Sequence, residues 1–260
     1  MASSGAGARE QPSGLNDTAR IARQKRAAAD AAAQMVRAGD RVGLGTGSTV
    51  AYLLEALAAR GLADLRCVAT SPQTEQAARS LGLAVEELEG GEALDIVIDG
   101  ADEIDPAGWL IKGGGGAHTR EKIVAAAARR FVVIAHAEKA VERLRPPVPL
   151  ELVEFGVGRT LQALGDARLR EPPGPHERCG TSARAGVAGH DARSEQLWYS
   201  PNGGLIGDYF GPVDQAAELA ARLSATPGVV EHGLFAPEMV STILIAGENG
   251  VQRRSGAKAA

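Results

Sequence analysis

Short apolar runs alternate with segments of helical periodicity through the first half of the chain. "TARIARQKRAAADAAAQMV" is rich in helix formers and stops at "RAGD". "RVGLGT" then reads as a strand entering a glycine turn, and "STVAYLLEALAARG" as a helix with a Ser/Thr start and a glycine end. The unit recurs. "DLRCVATS" is a strand followed by the helical "PQTEQAARSLG", and "ALDIVIDGAD" is a strongly apolar strand ending in acids. "REKIVAAAARR" reads as a helix with arginines in its last turn, and "RFVVIAHA" as a buried strand. Such alternation predicts an α/β fold, a mostly parallel sheet with helices on both faces.

The texture changes at "RPPVPLELVEFG", whose prolines suit a linker or an edge strand. Residues 146–239 predict a smaller α+β domain containing the helix "DQAAELAARLSATPGV" and an irregular loop from Leu169 to Gln196. The final "VSTILIAG" is a buried strand that rejoins the first sheet. The expected division is a disordered tail over 1–16, a first domain over 17–145 and 240–254, and a small domain over 146–239 serving as lid or oligomer contact. "RRSGAKAA" at the C-terminus also reads as disordered.

Composition narrows the function. The apolar fraction is 44% but aromatics are only 3%, so the core is built from aliphatic residues and base-stacking platforms are scarce. A formal net charge of -4 lacks the basic surface that nucleic acid requires. Cys67 and Cys179 stand far apart in no CxxC pattern, and the five histidines show no HxH or HxxxH spacing, so neither a disulfide framework nor a metal site is indicated. No signal-peptide centre or membrane-length apolar run is visible, so a cytoplasmic protein is expected. Arginine outnumbers lysine so heavily that a lysine inside a motif marks a place wanting a compact ammonium, although the run "LNDTARIARQKRAAA" around Lys25 reads as a solvated helical face.

Three motifs carry chemistry. "GLGTGST", with Gly45, Thr46, Gly47, Ser48 and Thr49, sits between a strand and a helix, where backbone N–H groups and the helix dipole cradle an anion. It matches neither a P-loop nor a dinucleotide fingerprint, which favours a small phosphate ester. "DGADEID" sets Asp99 and Asp102 at the carboxyl end of a buried strand, where open α/β sheets bind ligands. "KGGGGAHTREK" follows Lys112 with Gly113, Gly114, Gly115 and Gly116, best explained by close backbone approach to a ligand. Thr119 is placed to cap the next helix, with Glu121 in its first turn. Val124 and Ala125 at i+3 and i+4 offer that carboxylate no helical ion pair.

In this order, "GLGTGST", "TSPQT", "DIVIDGADEID", "KGGGGAHTREKI" and "PGVVEHGLF" resemble the A-type ribose-5-phosphate isomerase family, well over 20–145 and more loosely over 197–250. The resemblance implies a Rossmann-like catalytic domain and interconversion of D-ribose 5-phosphate and D-ribulose 5-phosphate in the pentose phosphate pathway. It implies no metal, no organic cofactor, and a homodimer or homotetramer. By resemblance Glu121 is the base, and Asp99, Asp102 and Lys112 contact sugar oxygens, help open the ring and stabilise charge. Gly113 to Gly116 admit the substrate; Ser48, Thr49 and Lys25 hold phosphate; Lys139 lies at the edge.

The chain departs from the family's pattern at His118, His136, Glu138 and "SPNGG", Ser200 to Gly204, where Leu, Asp, Ser or Thr, and "TDNGN" are usual. Residues 166–196 do not resemble it. Two other readings stand beside the isomerase. A non-catalytic sugar-phosphate sensor would need a DNA-binding module, for which the segment before the first helix is too brief. An acyl-CoA transferase of related fold would use a glutamate as nucleophile.

Overall fold

The protein is described from a computed structural model over residues 13–172 and 197–258. In chain order the first half runs α1 (Ser13–Ala33), β1 (Arg41–Leu44), α2 (Ser48–Arg60), β2 (Arg66–Ala69), α3 (Pro72–Ser80), β3 (Ala84–Val85) and β4 (Leu94–Gly100). The short β5 (Glu103–Ile104) and β6 (Leu110–Ile111) precede α4 (His118–Ala126) and β7 (Ala128–His136). There follow β8 (Val148–Leu152), α5 (Val157–Leu164), β9 (Ala167–Leu169), β10 (Leu205–Tyr209) and α6 (Ala216–Ala225). The chain ends with β11 (Val229–His232), β12 (Leu234–Phe235), β13 (Thr242–Gly247) and β14 (Gly250–Ser255).

Seven strands form the main sheet in the order β14-β13-β7-β4-β1-β2-β3, parallel except for β14. Its inner strands bury both faces. Ile96, Ile98, Val132 and Ile134 pack with α1, α2 and α3, while Val97, Phe131 and Val133 pack with Val124 of α4. Continuous apolar runs such as "DIVID" and "RFVVIA" are what that double burial demands. From β1 the chain steps outward through β2 and β3, then returns to β1's other side as β4. The carboxyl ends of β1 and β4 therefore flank the topological switch point, where open α/β sheets bind ligands.

A second sheet, β11-β8-β10-β9, is antiparallel and encloses its own core with α5 and α6 around Leu150, Leu152, Leu164, Leu219 and Leu223. The edge-strand expectation for "RPPVPLELVEFG" is corrected here. β8 is interior, paired with β10 and β11, and Pro149 is tolerated near its start, where its carbonyl accepts from Gly233 N at 2.7 Å. β12, inside 146–239, pairs with β6 rather than with this sheet.

Other boundaries also moved. Residues 13–16, expected in the tail, belong to α1, whereas 1–12 lie outside the described residues. The C-terminal "RRS" continues β14, and Lys258 Nζ donates to Ala128 O at 2.6 Å, so this tail is tied down. Alternation of apolar residues is absent from "GVQRRS", an edge strand exposed along most of its length, which is why pattern gave no sign of it. Arg129 and Arg130 lie in β7 rather than in the last turn of α4. The loop expected over 169–196, with Cys179, lies outside the described residues from 173 onward.

Candidate active site

A cleft of about 370 Å³ opens at the switch point, lined by the loop after β1, the loop after β4, the glycine loop before α4 and the end of β7. Among its lining residues are Lys25, Thr46, Gly47, Ser48, Thr49, Asp102, Lys112, Gly113, Gly114, Gly115, Glu121 and Lys139, gathered from distant points in the sequence. Asp99, Gly45 and Gly116 are not among them.

The loop after β1 is shaped by what lies beneath it. A Cβ at Gly45 would collide with the Asp99 carboxylate, so only glycine fits that close approach. Thr74 Oγ1 donates to Gly45 O at 2.8 Å, and Ser71 caps α3 by accepting from Thr74 N. The "TSPQT" motif thus supports the loop rather than the cleft. Ser48 begins α2, and its Oγ accepts from Lys25 Nζ at 2.8 Å. Burial, and then the nearby charge of Lys139, lower the Lys25 pKa. Two lysines beside a helix N-terminus suit an anion.

Deeper in the cleft Lys112 joins two carboxylates. Its Nζ donates to Asp99 Oδ2 at 2.8 Å and to Gly100 O at 2.6 Å, and stands 3.1 Å from Glu121 Oε2. The three residues are 3%, 1% and 5% exposed for Lys112, Asp99 and Glu121 respectively, so little water screens them. Burial opposes charge on Lys112, yet the two carboxylates outweigh it and hold the pKa above an ordinary lysine's. Burial pushes Asp99 upward too. Even so, Asp99 accepts from Thr46 N at 3.1 Å and Gly100 N at 2.7 Å as well as from Lys112, donors that fit the carboxylate form.

Glu121 differs. Burial first, and then the charge of Asp99, raise its pKa to about 8 against the lowering effect of Lys112. Oε2 is within ion-pair distance of Lys112 but accepts no hydrogen bond from the described residues. The first turn of α4 thus presents a weakly held proton acceptor to the cleft, poised near neutral pH.

The match to the family model "Ribose 5-phosphate isomerase A (phosphoriboisomerase A)" spans residues 66–250. This chain belongs to the ribose 5-phosphate isomerase A family. Ribose-5-phosphate isomerase A of Roseiflexus castenholzii is 45% identical over 238 residues, covering 87% of this chain and 93% of the relative. Among solved structures, the ribose 5-phosphate isomerase of Plasmodium falciparum is 31% identical at a TM-score of 0.78, over 90% of this chain and 99% of that one. A D-ribose-5-phosphate isomerase in complex with phospho-erythronic acid is 29% identical at the same TM-score of 0.78, with 90% and 99% covered.

The candidate residues stand in different settings. Asp99 lies beneath the loops, its Oδ1 accepting from Thr46 N and Gly100 N and its Oδ2 from Lys112 Nζ, and it is not among the residues lining the cleft. At Gly113 the φ is +105° and a Cβ would come within 2.7 Å of His118 Nδ1, so the fold itself demands this glycine. Gly116 backs onto Trp198. Thr119 does not cap α4, whose N-cap is Ala117; its hydroxyl donates instead to the buried Glu151.

Of the departures, His136 lines the cleft with its buried Nδ1 finding no hydrogen-bond partner among the described residues, and its pKa is lowered by burial and then by Lys139 and Lys25. His118 is fully buried, and burial together with Lys122 lowers it to about 3, keeping it neutral. Glu138 pairs with Arg20 at 2.6 Å. "SPNGG" remains a tight loop fastened to β8 and to α4: Ser200 Oγ donates to Glu151 Oε1 of β8 at 2.5 Å, and Arg120 Nε of α4 to Asn202 Oδ1 at 2.8 Å. Sequence reading missed Glu151, Arg170 and Asp208. An acid within the apolar "PLELV" was the only signal for Glu151, and the two others sit in segments without recognisable motif.

Proposed function

We propose that this chain is an aldose-ketose isomerase interconverting D-ribose 5-phosphate and D-ribulose 5-phosphate through an enediolate. The observation that carries the reading is Glu121, a buried carboxyl raised to about 8 and set against Lys112 in a cleft shared with Lys25, Ser48 and Lys139. Glu121 takes the proton from C2 of the open-chain aldose, and the electron pair forms a C1=C2 bond while charge moves onto O1. Lys112 stabilises that charge. Return of the proton to C1, with transfer of the C2 hydroxyl proton to O1, gives the ketose. Asp102, on the cleft wall with Oδ2 accepting from Gly114 N at 2.9 Å, is the group we assign to ring opening. Phospho-erythronic acid, carried by one structural relative, presents a planar carboxylate beside a hydroxyl, the shape and charge of an enediolate. The sensor and transferase alternatives gain no observation of their own.

Phosphate recognition by Lys25, Ser48, Thr49 and Lys139 follows from the cation pair at the start of α2. A hydrogen bond to a charged group contributes about 1.5 to 3 kcal/mol, roughly ten- to hundredfold in affinity. Calorimetry should therefore find ribose 5-phosphate bound at least tenfold more tightly than ribose, and equal affinities would refute this assignment. The base makes a second expectation. Glu121 acts only when deprotonated, so kcat/KM should rise with pH along a limb centred near 8. A limb centred near 4.5, the ordinary glutamate value, would place the base elsewhere.

We infer two structural units, 17–145 with 240–254 and 146–239, with β12 reaching from the second to the first. A homodimer or homotetramer is supported by apolar side chains left open at the second sheet, Phe155 at 92% exposure with Val153 and Val230. Light scattering at micromolar concentration is expected to give a multiple of 26.8 kDa, and a monomer mass would count against it. Among the described residues no helix is long and apolar enough to cross a membrane. A cytoplasmic location remains our reading of the sequence.

A further inference from the structure

The four-glycine loop is gripped on the side away from the cleft. Arg170, just past β9, forms a forked pair with Asp208 of β10, Nε donating to Oδ2 at 2.6 Å and Nη2 to Oδ1. Its remaining nitrogen, Nη1, donates to Gly114 O at 2.9 Å and reaches Gly113 O at 3.5 Å. The guanidinium lies over Trp198, 5.1 Å from the ring centroid, and the same ring backs onto Gly116. On the cleft side Gly114 N holds Asp102 Oδ2. One glycine thus carries both contacts: its carbonyl is fixed by the second sheet and its N–H fixes a cleft carboxylate.

Four successive glycines have more backbone freedom to lose than any other sequence, so their order must be imposed from outside. A planar fork can satisfy a carboxylate with two nitrogens and still aim a third at a peptide carbonyl. A lysine ammonium, a point charge on a flexible stem, cannot hold that geometry. The Arg170 and Asp208 side chains are 19% and 9% exposed, so water competes weakly for either.

We infer that Arg170, oriented by Asp208, is a positioning residue for the isomerisation, fixing the Gly113–Gly116 loop and with it the Asp102 carboxylate. The inference rests on the isomerase reading for its kinetic consequence only. A misplacement of about 1 Å costs on the order of 10²-fold in rate, so Arg170→Ala and Arg170→Lys should lower kcat at least tenfold. KM should change far less, because Lys25, Ser48 and Lys139 are untouched.

The test is kcat and KM for ribose 5-phosphate in both variants, melting temperature, and amide exchange of the peptide spanning Gly113–Gly116. Expected are near-parental melting, a fall in kcat without a matching rise in KM, faster exchange in that peptide alone, and partial recovery of Arg170→Ala by added guanidinium. Should Arg170→Ala fail to fold, Arg170→Lys decides. Parental kcat and parental loop exchange in folded Arg170→Lys would overturn the inference, as would a rise in KM alone. If the parent itself lacks isomerase activity, the functional reading fails, while the exchange result still decides whether Arg170 orders the loop.

Discussion

Replacing Glu121 with Gln is expected to lower kcat by about 10² to 10⁴-fold, the usual contribution of a general base, while ribose 5-phosphate still binds with nearly unchanged affinity. Gln keeps the shape and loses only the basicity. The same variant should be more stable than the parent in alkali. In the folded protein this carboxyl holds its proton up to about pH 8, against 4.5 ordinarily, so folding takes up a proton between those values. Its contribution to stability therefore declines as pH rises from 4.5 to 8, and Gln escapes that decline. The difference in melting temperature between variant and parent should grow across this window and level off above it. A folded variant with near-parental kcat would remove Glu121 from its role.

Lys112→Met has the second large effect, and it combines stability with rate. The ammonium lies between Asp99 and Glu121, and its removal leaves two buried carboxyl groups facing each other without a cation. Breaking a buried pair in this way costs about 3 to 5 kcal/mol. The loss should deepen as pH rises, because without Lys112 both carboxyl pKa values climb further and each must ionise in a buried site. Folded variant should also lose about 10² to 10³-fold in kcat, the cost of deleting one group that stabilises developing oxyanion charge. Melting curves at pH 5 and pH 8 together with kcat decide it. Parental stability at pH 8, or kcat within tenfold of the parent, would show that the ammonium is not central.

The main sheet was legible because β4 and β7 are buried on both faces, and a strand buried on both faces writes itself as an unbroken apolar run. The candidate site was legible where the chain carries unusual residues that the fold brings to one cleft: a scarce lysine, a run of glycines, a glutamate with no helical partner. What sequence could not separate was contact from support. Asp99 and Asp102 stand three positions apart in one acidic motif, yet the turn after Gly100 buries the first beneath Lys112 and leaves the second on the cleft wall. Likewise Thr119 carries the residue type of a helix cap but is drawn to Glu151, a partner 32 positions away. The Arg170 grip on Gly114 spans 56 positions and belongs to no local pattern, so only the packed structure reveals it. β14 escaped notice for the opposite reason, since an exposed edge strand needs no apolar alternation.

Isomerisation by this chain moves a proton between C1 and C2 of ribose 5-phosphate. Proton NMR of ribose 5-phosphate in deuterated buffer with the purified parent protein tests it directly. Ribulose 5-phosphate is expected to grow in together with deuterium at the exchanging carbon, both suppressed by Glu121→Gln. Neither ketose nor deuterium appearing with the folded parent would contradict it.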